Sequence, residues 1–482
     1  MIDLRPVLFV VGILLTVLAT FMFVPALVDA AAGNPDWRVF LVSAFFTLFI
    51  GVTLALTNRT APARLNVRQT FLLTTLAWLV TAAFAALPFA FAALDLDYTD
   101  AFFESMSGLT TTGSTVIVGL DRAPPGILLW RALLQWQGGI GIIVMAIAVL
   151  PMLGIGGMQL FRTESSDRSE KVLPRAAQIA AAIGLTYLAL TVAAAVSYWV
   201  VGMTPFEAIC HAMTTIPTGG YSTYDASIGH FRDNATEWVV SFFMVASGIP
   251  FLLYFQLARG HGGELWRNSQ VRWYLALVAV VVLALTLWLW LVQDKQNHVA
   301  LRHAVFNVIS VATGTGYAST DYGAWGGFEV TALLFVMVMG GCSGSTTGGI
   351  KVFRFQILYA SAKAQIRRLL RPHGVFVPRY DRKPVPDSVS AAVISFFFLF
   401  MVSFAVVAVA LAMLGLDLMT SVSGALTALS NVGPGLGAVI GPSGTFAPLP
   451  DAAKWLLAAA MLLGRLEFFT VLVLFTPRFW RG

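Results

Sequence analysis

The chain has 482 residues, 58% of them hydrophobic and only 11% charged, where ordinary soluble proteins carry roughly 25% charged residues. With a mean hydropathy of +0.79, this excludes a soluble globular domain and leaves room for about ten membrane spans of ~20 residues. The formal net charge of +6 is spread in clusters between alternate apolar runs, which is a topology signal and not the footprint of a nucleic-acid partner.

Those clusters are Arg59/Arg64/Arg68, Arg162/Arg168/Lys171/Arg175, Arg259/Arg267/Arg272, a long one from Lys351 and Arg354 through Arg367, Arg368 and Arg371 to Arg379, Arg382 and Lys383, and Arg478/Arg481 near the end. The intervening loops hold Asp95, Asp97, Asp100, Asp225, Asp233, Glu237, Asp321, Glu329 and Asp451. The positive-inside rule then places the basic loops and both termini in the cytoplasm. Two cysteines, Cys210 and Cys342, do not suggest a disulfide framework, and the six histidines form no metal-ligand cluster.

Residues 4–28 are long and apolar. A signal peptide is the competing reading, but the run exceeds a usual h-region and a second apolar run, 39–56, comes at once. From residue 69 a unit of about 90–110 residues repeats. In each unit an apolar span leads to a short segment, a polar Gly-bearing stretch and a second span. The first spans are 71–93, 176–201, 273–293 and 389–414; the second spans are 126–150, 238–257, 328–370 (interrupted) and 453–475. The organisation expected is an N-terminal helix pair (1–68) and four repeats, 69–172, 173–270, 271–385 and 386–482. Two spans per unit give every unit the same orientation, unlike inverted-repeat transporters. Four such units can close around a pseudo-fourfold axis. The short segments, of ~12 residues, cannot cross a bilayer and read as re-entrant helices lining a wet cavity.

The polar stretches are Leu109-Thr110-Thr111-Thr112-Gly113-Ser114-Thr115-Val116, Thr218-Gly219-Gly220-Tyr221-Ser222, Thr315-Gly316-Tyr317-Ala318-Ser319 and Val432-Gly433-Pro434-Gly435. Aligned on the glycines, Ala101–Glu104 falls over Ala304–Asn307, Ala208 over Phe102, Pro217 over Thr111 and Asp97 over Asp417. A dehydrated monovalent cation needs several close oxygen ligands, and carbonyls of an extended loop can supply them. Glycine frees the backbone to turn them inward, Thr and Ser add hydroxyl oxygens, and the preceding helix aims its partly negative end at the ion. The expected ion-facing residues are Thr111, Thr112, Gly113, Pro217, Thr218, Gly219, Gly314, Thr315, Gly316, Asn431, Val432 and Gly433.

A second motif, Gly340-Gly341-Cys342-Ser343-Gly344-Ser345-Thr346-Thr347-Gly348-Gly349, interrupts the third repeat. The apolar run before it is too short to span, and the segment after it carries Lys351 and Arg354. One broken helix with its break at mid-membrane fits, and the break is a candidate gate. A nucleotide-binding loop fits poorly, because Lys351 does not directly follow the second glycine of a G-x4-G-K pattern. Arg465 lies ~18 Å into its span at 1.5 Å per residue. A charge at that depth faces a cavity or a partner, so either it meters cations in the pore or it pairs structurally; Glu467, two residues on, points elsewhere. Asp95, Asp97, Asp100, Glu104 and Asp121 could concentrate cations at the outer mouth, although solvated loop acids explain such residues equally well. His211 and His303 read as packing residues.

Taken together, these motifs resemble the filter segments of the Trk/Ktr/HKT potassium transporter superfamily. The 340–349 loop running into Ile350-Lys351-Val352, and Gly464-Arg465-Leu466-Glu467 before Phe475-Thr476-Pro477, resemble its TrkH branch. The resemblance spans nearly the whole chain. It implies the membrane subunit of a bacterial potassium uptake system in the inner membrane, usually a homodimer, controlled by a cytosolic TrkA-type ring. Nucleotide or NAD would then act only through that partner, this chain holding no cofactor of its own, with K+ as the transported ion. It implies Gly113, Gly219, Gly316 and Gly433 as the filter glycines, the 340–349 loop as gate and Arg465 as the constriction charge. Gly113, where a serine accompanies sodium permeation in plant relatives, favours potassium. Pro217 leaves a carbonyl but no N–H or hydroxyl.

The expectation is an all-α membrane protein with four tandem span–pore helix–span repeats, conducting potassium without covalent chemistry. A sodium- or proton-coupled symporter is the alternative, with Glu104, Glu207 and Glu467 as the candidate proton carriers. A lipid-modifying membrane enzyme would need a His, Asp or Ser cluster at one interface, and none is found.

Overall fold

The computed structural model describes residues 2–59, 65–145, 172–231 and 233–481. Arg64, Arg162, Arg168, Lys171, the side chain of Arg175 and the expected span end at Leu150 lie outside the described residues. Six helices among the described residues are long and apolar enough to cross a membrane.

Two of them, α1 (Arg5–Ala31) and α2 (Trp37–Thr57), form the N-terminal pair. They cross where glycines let backbones meet, as small residues do in membranes. A Cβ on Gly12 would lie 2.7 Å from the Gly51 carbonyl oxygen, and one on Gly51 would lie 2.8 Å from Thr16 N. Buried Asp29, near the end of α1, accepts the Gly126 N–H at 2.7 Å. Its carboxylate thereby satisfies an orphan donor at the start of α6 (Pro125–Val144) and meets the positive end of that helix.

The succession of long helix, short helix and second helix then occurs four times. The first repeat has α3 (Val67–Ala85), extended by α4 (Leu87–Phe91), then the short α5 (Tyr98–Leu109) and α6. The second has α7 (Val172–Val200), α8 (Pro205–Thr215) and the pair α9 (Asn234–Ser247) and α10 (Phe251–Ala258). The third has α11 (Ser269–Leu291), α12 (Asn297–Thr313), α13 (Gly327–Val336) and α14 (Val352–Leu370). A two-residue hairpin, β1 (Arg379–Tyr380) with β2 (Lys383–Pro384), leads into the fourth. That repeat has α15 (Asp387–Met413), α16 (Leu418–Ser430), α17 (Asp451–Arg465) and α18 (Phe468–Leu472).

Whereas the long helices keep rows of exposed apolar side chains, the C-terminal halves of the short helices are buried. Three start on a side-chain cap, with Asp97, Thr204 and Asp417 accepting the N–H three residues on. This explains why Asp97 and Asp417 align in sequence.

Two second spans depart from expectation. The 238–257 and 453–475 runs are not straight: α9 meets α10 at 98° and α17 meets the segment after it at 113°. Pro250, which has no N–H to donate, stands at the first bend. Glu467 at φ +66° stands at the second. The apolar pattern runs on through both, so composition hid them. The break in the third repeat falls within 337–351, as expected.

Candidate functional site

Each short helix ends in the same way. The residues Thr111, Thr218, Gly314 and Asn431 adopt left-handed angles, with φ of 51°, 56°, 69° and 54°. Their N–H groups bond back three residues, to Gly108, Thr215, Val311 and Ala428. The next N–H groups, of Thr112, Gly219, Thr315 and Val432, bond back five residues, to Ser107, Thr214, Ser310 and Thr427. That pair of bonds is a Schellman termination, repeated four times. Among the four, Thr111, Thr218 and Asn431 hold the left-handed angle without being glycine, a local cost of order 1–3 kcal/mol each that surrounding structure must offset.

One residue further, Gly113, Gly220, Gly316 and Gly433 have φ of 90°, 74°, 79° and 111°. This corrects the alignment of the second repeat by one residue. Gly220, and not Gly219, is the counterpart of Gly113; Thr218, and not Pro217, is the counterpart of Thr111. Pro217 instead matches Thr110, and its carbonyl accepts the Thr218 hydroxyl at 2.6 Å.

These glycines close a ring. A Cβ on Gly113 would run into the carbonyl oxygen of Gly219, one on Gly220 into that of Thr315, and one on Gly316 into that of Val432. A Cβ on Gly433 would lie 2.9 Å from the carbonyl oxygen of Thr112, which returns to the first wall. Four equivalent carbonyls thus each abut the glycine of a neighbouring wall, in the order one to four and back. Thr111 Oγ1 and Asn431 Oδ1 are buried here without a hydrogen-bond partner.

The walls are braced from behind. Glu104, His211 and Asn307 occupy one position on three short helices once the second repeat is shifted. Glu104 accepts from Val116 N at 2.9 Å, His211 Nε2 meets Ser222 Oγ at 3.0 Å, and Asn307 meets Ser319 Oγ at 3.0 Å. Tyr221 and Tyr317 reach back to the preceding short helix, to the Glu104 carbonyl at 2.8 Å and the His211 carbonyl at 3.1 Å. Between walls four and one, Ser114 Oγ donates to the Gly433 carbonyl at 2.7 Å, and Asn431 Nδ2 to Thr112 Oγ1 at 2.9 Å.

Arg131, which no sequence motif marks, joins walls one and two. Its Nε pairs with Glu104 at 2.7 Å, its Nη1 donates to the Ser222 carbonyl at 2.7 Å, and its guanidinium lies 3.9 Å from the Tyr221 ring centroid. Gln135, one turn on, donates to the Gly219 carbonyl at 2.8 Å. Glu104 is therefore a buried brace and not a solvated outer acid. Glu207 caps α8 through Thr204 and also accepts from Tyr224.

The 340–349 loop packs against the ends of the short helices. Thr346 Oγ1 donates to the Ile216 carbonyl at 2.8 Å. A Cβ on Gly348 would collide with the Ser430 carbonyl. Cys342 N donates to the Gly248 carbonyl at the α9–α10 bend (2.9 Å), and Phe251 N to the Gly344 carbonyl at 3.1 Å. Gly340 N bonds Ile350 O at 2.9 Å and Gly341 N bonds Thr347 Oγ1 at 2.9 Å, folding the loop on itself. Ser343, Ser345, Thr347 and Gly349 line a cavity of about 40 Å³ with Arg465, Lys351 and Glu467.

Arg465 is 4% exposed, and its Nε and Nη2 have no hydrogen-bond partner. Glu467 is bound instead to Arg354 at 2.5 Å, whose guanidinium also stacks 3.7 Å from the Phe396 ring. A structural ion pair therefore forms in this region, but Arg354 makes it. Lys351, the second cation of the cavity, donates to Thr347; only its place beside the glycine-rich loop hinted at it. Both cysteines are free and buried.

The family model for the cation transport protein TrkH matches residues 38–481. The Trk system potassium uptake protein TrkI of Halomonas elongata is 47% identical over 477 residues, covering 99% of this chain and 97% of that protein. The Trk system potassium uptake protein TrkH of Escherichia coli (strain K12) is 39% identical over 483 residues, covering 99% of each. The crystal structure of the potassium transporter TrkH from Vibrio parahaemolyticus superposes with a TM-score of 0.93 at 38% identity, over 100% of both chains. A Schellman-terminated ring of four repeats, set in a multi-pass helical membrane protein without strands beyond one hairpin among the described residues, is thus housed in a transport protein and not an enzyme: this chain belongs to the TrkH family of cation transport proteins.

Proposed function

We propose that the chain takes up potassium across the bacterial inner membrane, with both termini cytoplasmic, through one selective pore formed by its four repeats. The single observation that carries this reading is the closed succession of carbonyls and glycines, Thr112, Gly219, Thr315 and Val432 against Gly433, Gly113, Gly220 and Gly316. Carbonyl dipoles at fourfold-equivalent positions replace the hydration shell of a monovalent cation, and helix ends behind them add negative potential. The potassium uptake role printed for the relatives from Halomonas and Escherichia supports K+ as the cargo.

In this reading the 340–349 loop obstructs the passage from the filter, and Arg465 and Lys351 place positive charge beside it. Conduction requires the loop to move and the charge to be displaced or screened. Proton coupling through Glu104, Glu207 or Glu467 is less well supported, because Glu104 and Glu467 are held in ion pairs and Glu207 is engaged by Thr204 and Tyr224. A homodimer regulated by a cytosolic TrkA-type ring, which would carry any nucleotide or NAD, completes the proposal. The test is potassium and sodium flux into liposomes holding the purified protein, with and without a pH gradient. Potassium-selective flux indifferent to the gradient is expected; flux that requires the gradient would establish the coupled symporter instead.

A further inference from the structure

One cavity shares no lining residue with the ring or the 340–349 loop. It has a volume of about 610 Å³ and opens between α11, α14 and the 371–386 segment. Lys363 and Arg367, one turn apart on α14, and Arg379 on β1 line it, with Asp381 as the acid among its lining residues. Trp273, near the start of α11, and Tyr359, on α14, form its aromatic side, with ring centroids 5.8 Å apart. Just beyond, Ile366, Leu369 and Leu370 are 59%, 73% and 77% exposed.

We propose that this cavity binds the phosphate headgroup of an anionic phospholipid, with the acyl chains lying along the exposed apolar residues of α14. Three features select that occupant. The cavity lies at the end of a membrane span, on the face where the basic loops gather. Basic pockets between transmembrane helices at that level hold anionic headgroups, and Trp and Tyr favour the same boundary. Beside the cations lies a row of large apolar side chains, which a free phosphate would leave in contact with water at roughly 25 cal/mol per Å². The lipid would tether α14, the helix after the 340–349 loop, to the membrane surface. The inference is independent of the reading of the pore and stands whether or not the pore selects potassium.

The experiment is native mass spectrometry of the full-length protein purified in detergent, offered dioleoyl phosphatidylglycerol or dioleoyl phosphatidylcholine. Wild-type protein is expected to retain phosphatidylglycerol preferentially. Each cation removed is expected to weaken retention about fivefold, so Arg379→Gln loses about fivefold and K363Q/R367Q/R379Q about a hundredfold. The control R478Q/R481Q, in the C-terminal basic cluster, is expected to retain lipid as wild type does. If the triple variant fails to fold, Arg379→Gln, on an exposed hairpin, still decides. No preference for phosphatidylglycerol, no loss in Arg379→Gln, or equal loss in the control would overturn the site. Displacement of the lipid by millimolar inorganic phosphate would overturn the lipid in favour of a free anion.

Discussion

Arg131 Nε stands 2.7 Å from Glu104 Oε1, and the two side chains are 2% and 0% exposed. The pair spans the seam between the first two walls, because Arg131 also holds the Ser222 carbonyl and Glu104 the Val116 N–H. Removing one partner of such a pair leaves the other charge buried and uncompensated, at about 3–5 kcal/mol. Arg131→Gln is therefore expected to lower thermal stability sharply. E104Q/R131Q, which leaves no bare charge, is expected to recover part of the loss. Unfolding of the three proteins in one detergent checks the order; a double variant no more stable than R131Q would refute the bridging role.

Arg465 makes the opposite prediction. Its Nε and Nη2 have no partner to lose, so Arg465→Ala should leave the fold intact while removing a positive charge from the passage. Cation flux into liposomes is expected to rise severalfold. Glu467→Gln, by contrast, removes the carboxylate charge paired with buried Arg354 and should lower stability, at most by about 3–5 kcal/mol, the cost of a broken buried pair. If Arg465→Ala unfolds the protein and Glu467→Gln does not, the roles assigned to the two residues are reversed.

Thr346 ties the 340–349 loop to the second short helix through one hydrogen bond of 2.8 Å to the Ile216 carbonyl. A bond of that kind contributes about 0.5–1.5 kcal/mol, or roughly a twofold to tenfold shift in an equilibrium between seated and displaced loop. Thr346→Val is expected to raise passive flux within that range. Replacing several glycines of the loop should raise it further, since Gly348 has no room for a Cβ against Ser430. Flux that falls in a folded Thr346→Val protein would mean that the loop supports conduction and does not obstruct it.

Much of this architecture was legible in sequence for identifiable reasons. The four polar stretches stood out because hydroxyl and glycine residues are anomalous in apolar surroundings, and Asp97 and Asp417 aligned because both cap a short helix. The slip in the second repeat came from Gly219-Gly220: two adjacent glycines fit the pattern equally, and only the φ angle of Gly220 decides between them. The bend after Arg465 leaves no mark in composition, because apolar residues continue through it, whereas Pro250 is the sequence mark of the bend after Ser247. The Glu104–Arg131 pair was missed because its members lie 27 residues apart on different helices, with no periodicity to join them. Arg465 can be found by its depth in an apolar run, whereas the pairing of Glu467 depends on Arg354, which arrives from another repeat.

The most direct test of the pore concerns Gly113. At φ +90° any side chain is strained, and a Cβ would strike the Gly219 carbonyl of the adjacent wall. The measurement is the ratio of potassium to sodium flux in liposomes for the wild type and Gly113→Ser. Strong potassium preference is expected in the wild type, and a ratio reduced at least tenfold, about 1.4 kcal/mol of discrimination, in the folded variant. A wild type that does not distinguish the two ions, or a variant with an unchanged ratio, would contradict the carbonyl ring as the selective element.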